Sequence, residues 1–220
     1  MNKIKHIIWD WNGTLVDDAW LFVELMNKVL KKRGLPLITL TDYKNTFCFP
    51  LEKYYQNLGF NFNDEPYEIP SMEFVDFYNT NKFRPILYPR ATELINKIKR
   101  AGINNYILSA QNHHSLLELV DFYNLKNLFK EIKGTDNLHA RGKDLMAEQL
   151  LDFSNKADNI LFIGDTNLDV QIATHYQSHI IGLTFGHQSK DRFPVLKNLT
   201  LVDSFEDLYS YLTLKLMENQ

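Results

Sequence analysis

The fold of this chain is decided by residues 7–17, IIWDWNGTLVD. The apolar run over residues 4–9 predicts a buried β-strand, because short apolar runs that end at turn residues are typical of strands covered on both faces. The strand ends at Asp10, and the turn formers Asn12 and Gly13 follow it. Ligands bind at the carboxyl ends of the strands in open α/β sheets. Asp10 is therefore a candidate nucleophile or metal ligand, and the alternative is an ordinary Asp-Trp-Asn-Gly turn.

Strands and helices alternate in the second part of the chain. Strands are predicted over residues 103–108, 160–163, 179–183 and 199–202, with helices between them. This alternation predicts an α/β fold with a parallel, doubly wound sheet. Residues 18–86 carry apolar side chains at helical spacing, which predicts an inserted all-helical segment. We therefore expect a core domain of residues 1–17 and 87–220 and a helical cap domain of residues 18–86.

Composition and charge argue against several classes of protein. Apolar residues make up 45% of the 220 residues and charged residues 23%, as in soluble globular proteins. No apolar run approaches the roughly 20 residues that span a bilayer, and a signal peptide is not expected because the first apolar run breaks at Asp10. A formal charge of −3 argues against nucleic-acid binding. The single cysteine, Cys48, excludes an internal disulfide and fits a reducing, cytoplasmic location.

Four motifs occur in the order that one enzyme family shows. They are Asp10 after the first strand, Ser109 after the strand of residues 103–108, Lys143 at a predicted helix start, and GDTNLD over residues 164–169 after a buried strand. Each motif is weak alone, but the ordered set is specific. The chain resembles the haloacid dehalogenase-like hydrolases over nearly its whole length. Within them it is similar to the phosphoglycolate phosphatase-like branch, which has a Rossmann-like core and a helical cap.

The resemblance implies a Mg²⁺-dependent phosphatase that forms an aspartyl-phosphate on Asp10. It implies that the side chains of Asp10 and Asp165 and the main-chain carbonyl of Asn12 bind the metal. Asp169 would orient metal-bound water or Lys143, and the alternative is that it only compensates the dipole of its helix.

The same resemblance implies a binding site for the phosphate of a small phosphorylated metabolite. Ser109 would donate its hydroxyl, Ala110 lies where a backbone N–H could contribute, and Lys143 would supply positive charge to the phosphate and to Asp10. Arg141 competes with Lys143 for this role. The alternatives are a turn cap for Ser109 and a solvated helix start for the two basic residues.

Other polar residues have simpler interpretations. His113 and His114 follow Ser109, but surface positions are expected for them, and the same is expected for His187 in a loop after a strand. Asp17 and Asp18 are expected to cap the first helix of the insert or to form its hinge.

Asn12 departs from the pattern of the family's phosphatases, which have an Asp at this position. That Asp protonates the leaving group and later activates water, and an amide can do neither. Losing one acid–base group costs about 10²- to 10⁴-fold in rate. The protein is therefore expected to be a slow phosphatase, to borrow another acid, or to bind a phosphorylated ligand or partner without turnover. A phosphonatase or a dehalogenase is a further alternative, although the acidic Asp165 and Asp169 favour Mg²⁺ and so argue against dehalogenation.

Overall fold

The computed structural model describes residues 4–135, 143, 147 and 159–218. Its strands are β1 (His6–Trp9), β2 (Val16–Asp17), β3 (Ile86–Leu87), β4 (Asn104–Asn112), β5 (Glu131–Thr135), β6 (Ile160–Gly164), β7 (His179–Leu183) and β8 (Leu199–Val202). Six of them form one parallel sheet in the order β5-β4-β1-β6-β7-β8. Strands β2 and β3 pair separately and antiparallel. The predicted α/β fold is confirmed.

The helices fall into two groups. Between β2 and β3 lie α1 (Ala19–Lys32), α2 (Leu40–Thr46), α3 (Leu51–Asn57) and α4 (Glu68–Asn81), which together form the helical insert. The sheet is accompanied by α5 (Ala91–Arg100), α6 (His113–Phe122), α7 (Asn167–His175) and α8 (Phe205–Glu218), and by short 3₁₀ turns at Lys126–Leu128 and Lys190–Arg192. The insert contains no strand, as the sequence predicted.

Both faces of the large sheet are covered. Successive side chains of a strand point to opposite faces. Accordingly, Ile7 and Trp9 of β1 pack with Leu94 of α5 in one apolar cluster, and Ile8 packs with Val170 of α7 in another. The carboxyl edge of the sheet is left for polar residues.

Two element boundaries differ from the expectation from sequence. The sequence pattern predicts a short helix over residues 43–48, but helix α2 begins at Leu40, because Thr39 and Asp42 form a capping box. Strand β4 does not end at Ser109 but continues to Asn112, and its register with β5 shifts after Leu108. Ser109 therefore lies within an irregular strand end rather than after it.

The helix predicted over residues 143–153 lies outside the described residues except for Lys143 and Ala147, which are helical and buried. Arg141 also lies outside them. Among the described residues, no helix is both long enough and apolar enough to span a membrane.

The loop of residues 184–193, which we call the docking loop, ties the sheet to the helical insert. Gln188 Nε2 donates to the Phe47 carbonyl at 2.8 Å, and Lys44 Nζ of α2 donates to the Phe185 carbonyl at 2.7 Å. The Ser189 amide donates to the Lys44 carbonyl at 3.1 Å. The helix α2 is thus held over the carboxyl edge of the sheet.

Candidate active site

Strand β1 brings Asp10 to the carboxyl edge of the sheet, where the Asp10 amide donates to the Ile163 carbonyl of β6. Lys143 Nζ lies 2.7 Å from Asp10 Oδ1 and 2.7 Å from Asp169 Oδ1. All three side chains are buried. Two charge-assisted hydrogen bonds therefore fix the ammonium group between the carboxylates.

Asp165 follows β6 and is fully buried. Its Oδ1 accepts a hydrogen bond from the Thr14 hydroxyl at 3.1 Å, and its Oδ2 accepts one from the His187 amide at 2.5 Å. Glycine is needed at positions 13 and 186, because a Cβ at either position would lie 2.3 Å from Asp165 Oδ2. The two glycines allow their loops to close around this carboxylate.

Burial controls the protonation of the site. It raises the pKa of Asp10 to about 8, against the charge of Lys143 and with a contribution from Asp169 and Asp165. Burial also raises the pKa of Asp165 to about 6. Burial lowers the pKa of Lys143, but the charges of Asp10 and Asp169 outweigh it and hold that pKa above its usual value. Lys143 is therefore charged. Its single positive charge does not neutralise all of the carboxylates when they are ionised.

The three carboxylates fit a divalent cation. Asp10, Asp165 and Asp169 each offer one oxygen, and among the described residues these oxygens lie within 4.8 Å of one another. One lysine opposes three carboxylates, so the ionised site keeps an excess of negative charge. Mg²⁺ is a hard cation that binds carboxylate oxygens and keeps several waters. The donor set and its charge thus suit Mg²⁺.

Asn12 is held by Asp18. Asn12 Nδ2 donates to Asp18 Oδ2 at 2.5 Å, and the Gly13 amide donates to Asp18 Oδ1 at 2.9 Å. Asp18 is buried and occupies the N-cap position of α1, but its side chain makes no capping hydrogen bond. The expectation that it caps the helix was wrong, because the amide of Asn12 and the backbone of Gly13 take up its oxygens.

His187 lies inside the site, so the expected surface position was wrong. It is 2% exposed, its Nε2 lies 3.0 Å from Asp18 Oδ1, and its Nδ1 lies 2.6 Å from the Tyr43 hydroxyl of α2. Burial lowers the pKa of His187, but Asp18 and Asp165 outweigh this and hold the pKa above its usual value. Its position after β7, at the edge where Asp10 lies, was the signal that could have identified it.

A cavity of about 390 Å³ opens from Asp10 and Lys143 toward the helical insert. Ser109 and Ala110 line it, and Ser109 is buried with its Oγ accepting from the Gln111 amide at 3.2 Å. The carbonyl of Ala110 accepts from the Thr135 hydroxyl. The structure therefore brings five of the sequence-predicted residues to one cavity, Asp10, Asn12, Ser109, Ala110 and Lys143, and their roles stay predictions.

The two histidines after Ser109 do not contact the carboxylates. His113 Nδ1 accepts from the Gly134 amide of β5 at 3.2 Å. His114 is exposed and lies 3.1 Å from Glu118. His114 has the expected surface position, whereas His113 is half-buried.

The sequence matches one family model and several curated proteins. Residues 7–183 match the model of haloacid dehalogenase-like hydrolases. A phosphoglycolate phosphatase of Pseudomonas putida is 25% identical over 193 residues, covering 83% of this chain and 70% of that protein. The probable phosphatase IndB of Dickeya dadantii is 23% identical over 209 residues, covering 92% of this chain and 90% of that protein. A phosphoglycolate phosphatase of Salmonella typhimurium is 22% identical over 61% of this chain, which spans only 54% of that relative.

Solved structures share the fold. A predicted phosphatase from Clostridium acetobutylicum gives a TM-score of 0.78 at 19% identity and covers 96% of this chain and 99% of its own. A predicted phosphoglycolate phosphatase from Haemophilus somnus gives 0.78 at 20% identity with the same coverage. At these identities the likeness shows a common architecture.

Proposed function

Because the chain belongs to the haloacid dehalogenase-like hydrolase family, we propose that it is a Mg²⁺-dependent phosphatase that acts on a small phosphorylated metabolite. The observation that carries this proposal is Lys143, bound between Asp10 and Asp169 beside a cavity, with Asp165 close by. An ordinary structural ion pair does not require two buried carboxylates on one lysine and a third buried carboxylate within 4.8 Å of them.

The first step forms a bond between a carboxylate oxygen of Asp10 and the phosphorus, while the bond from phosphorus to the ester oxygen breaks. Lys143 orients Asp10 and supplies positive charge to the transferred group. Ser109 donates its hydroxyl to a phosphate oxygen. In the second step water attacks the phosphorus, phosphate leaves, and the Asp10 carboxylate is regenerated.

The residues that would hold Mg²⁺ are Asp10, Asp165 and the main-chain carbonyl of Asn12. When bound, the ion neutralises the negative charge of the phosphate and of the carboxylates. Asp169 holds Lys143 through its Oδ1, so its part is to position the ammonium.

The helical insert is the cap in this proposal, with residues 18–86 covering a core of residues 1–17 and 87–220. A closed cap excludes water and strengthens the electrostatic interactions below it. A cytoplasmic location is also part of the proposal, and the free Cys48 supports it.

A test that needs no substrate uses beryllium trifluoride, which mimics a phosphoryl group on a carboxylate. Together with Mg²⁺ it should raise the melting temperature of the wild type and have no such effect on Asp10→Ala. Chelation of Mg²⁺ should abolish the shift. Equal shifts in both proteins would contradict a nucleophilic Asp10.

Asn12 favours a second candidate function, that of a protein that binds a phosphorylated ligand or partner with little turnover. The two functions differ in the second chemical step. Phosphate release that continues beyond one equivalent per protein supports the phosphatase. Tight binding of a phosphate ester without release supports the binding protein.

A further inference from the structure

We propose, on the basis of the phosphatase function above, that the substrate is a phosphate monoester of a phenol. The alcohol part would be an uncharged aromatic ring that occupies the cavity beneath the helical insert. Three features of the described residues carry this assignment: the walls of the cavity, the cations around it and the side chain at position 12.

The walls of the cavity are largely aromatic. Phe22 of α1, Phe47 after α2 and Phe74 of α4 line it, and the rings of Phe22 and Phe74 lie 5.4 Å apart. The volume of about 390 Å³ falls in the range, roughly 300–1,000 Å³, of pockets that enclose ring-containing ligands. A two-carbon alcohol would fill only a small part of this volume.

The described residues of the cavity lining offer no free cation for an acidic leaving group. Among its described lining residues, the ammonium of Lys143 is already bound by Asp10 and Asp169, and His187 has a partner at each ring nitrogen. A carboxylate on the alcohol would lose its hydration there without gaining a cationic partner. The site therefore selects against substrates such as phosphoglycolate.

Asn12 lines the same cavity and cannot protonate a leaving group. A phenol, with a pKa of about 10, departs as a stable phenolate. An alkyl alcohol is a far weaker acid, close to water at about 15.7, and needs that proton. Aryl esters are thus the class of monoester that this site can cleave without an acid at position 12.

The reaction balances without another reactant. Asp10 forms a bond to phosphorus as the aryl oxygen leaves with the bonding electron pair. Water then displaces Asp10 from phosphorus, and one of its protons passes through solvent to the phenolate. The products are a phenol and inorganic phosphate.

The experiment compares three esters with the wild-type protein and Mg²⁺. Phenyl phosphate combines an apolar ring with a good leaving group, cyclohexyl phosphate keeps the apolar ring but is an alkyl ester, and 2-phosphoglycolate is small and acidic. We expect kcat for phenyl phosphate to exceed that for cyclohexyl phosphate by about 10²-fold or more, the range that an acid would otherwise supply. We expect KM for both ring esters to lie at least tenfold below KM for phosphoglycolate.

A matched pair of variants tests whether the uncharged wall of the cavity selects against an acidic substrate. Val75 of α4 is half-buried and lines the cavity. Val75→Lys adds a cation there, and Val75→Met adds similar length without charge. The ratio of kcat/KM for phosphoglycolate to that for phenyl phosphate should rise at least tenfold in Val75→Lys and stay nearly unchanged in Val75→Met.

Failure of this assignment is distinguishable from failure of the phosphatase function. If beryllium trifluoride binds at Asp10 but phosphoglycolate is the better substrate of the wild type, the aryl assignment is overturned and the phosphatase stands. Equal kcat for the phenyl and cyclohexyl esters would also overturn it. If beryllium trifluoride does not bind and no ester is cleaved, both proposals fall.

Discussion

At the scale of single residues, the sequence predicted which side chains meet at the carboxyl edge of the sheet. Asp10 and Asp165 were predicted because strand ends of a parallel sheet share one edge, and Lys143, at a predicted helix start, was implied by the family resemblance. Asp18 and His187 were missed as neighbours of Asn12. Their contacts depend on where the first helix of the insert leaves the sheet, and no local pattern encodes that geometry.

The short bond between Asn12 and Asp18 predicts the behaviour of an acid at position 12. Asn12→Asp places two carboxylates about where atoms now lie 2.5 Å apart, so we expect a loss of about 1–3 kcal/mol in the free energy of unfolding. In the double variant Asn12→Asp, Asp18→Asn, the amide at position 18 can donate to the carboxylate at position 12, so the pair again has one donor and one acceptor. The double variant should regain stability and cleave cyclohexyl phosphate about 10²-fold faster than the wild type.

Urea unfolding and steady-state kinetics check both expectations. The single variant Asp18→Asn is the matched control, since it keeps the amide at position 12. If Asn12→Asp alone is as stable and as active as the double variant, the contact with Asp18 does not govern position 12.

The raised pKa of Asp10 predicts a dependence on pH. Its pKa is about 8 in the folded protein and 3.8 ordinarily, so the folded state holds this proton more tightly. Without metal, this residue stabilises the fold at low pH, and its contribution falls as the pH rises from about 4 to about 8. Mg²⁺ competes with the proton and should raise the melting temperature more at about pH 8 than at about pH 6.

Thermal melts with and without Mg²⁺ at the two pH values measure this effect. Asp10→Asn removes the main titrating group and should reduce the difference, and the remainder reflects Asp165, whose pKa is about 6. A larger shift at the lower pH would contradict the assigned sign.

At the scale of elements, helical spacing predicted the helices of the insert, but not what joins them. Arg33 at the end of α1 donates through Nη1 to Glu73 of α4 at 2.9 Å and through Nη2 to Glu65 at 3.0 Å. Its side chain is only 16% exposed. The basic run of residues 31–33 is typical of a helix end, where cations favour the helix dipole, but it does not indicate partners so distant in the chain.

Arg33→Met should lower the free energy of unfolding by about 1–3 kcal/mol, because two carboxylates lose a hydrogen-bonded guanidinium group. The neighbouring Lys32 provides a matched control. Its side chain is 53% exposed, with its Nζ 3.2 Å from Glu73 and 5.0 Å from the centroid of the Phe77 ring, so Lys32→Met should cost less than about 0.5 kcal/mol. Equal losses in urea unfolding would show that Arg33 does not join the helices.

At the scale of the whole molecule, the docking loop joins the insert to the sheet. Gln188 is buried. Its Oε1 accepts a hydrogen bond from the Asn167 amide at 2.7 Å, and its Nε2 donates to the Phe47 carbonyl. The sequence predicted two structural units and their family, and the family match confirmed the latter. The sequence did not predict the contact of Gln188 with Phe47. Every residue has a main-chain carbonyl, so the sequence of the insert does not mark which carbonyl Gln188 binds.

Gln188→Ala leaves the buried Phe47 carbonyl and the partly buried Asn167 amide unpaired. We expect a loss of about 2 kcal/mol in the opening free energy of α2, or roughly 30-fold faster hydrogen exchange of its amides. The amides of β1 should exchange as in the wild type. Gln56→Ala on the exposed side of α3 is the control, and equal exchange of α2 in both variants would contradict the role of the loop.

The bonds of the Gly13 amide also bear on the chemical ageing of the protein. An Asn followed by Gly deamidates when the backbone nitrogen of the glycine attacks the Asn side chain. Here that nitrogen donates both to the Val16 carbonyl and to Asp18, and the Asn12 amide is itself bound by Asp18. The folded chain therefore shields its most labile dipeptide, and conversion of Asn12 to an acid, visible by mass, should begin only once the fold is lost.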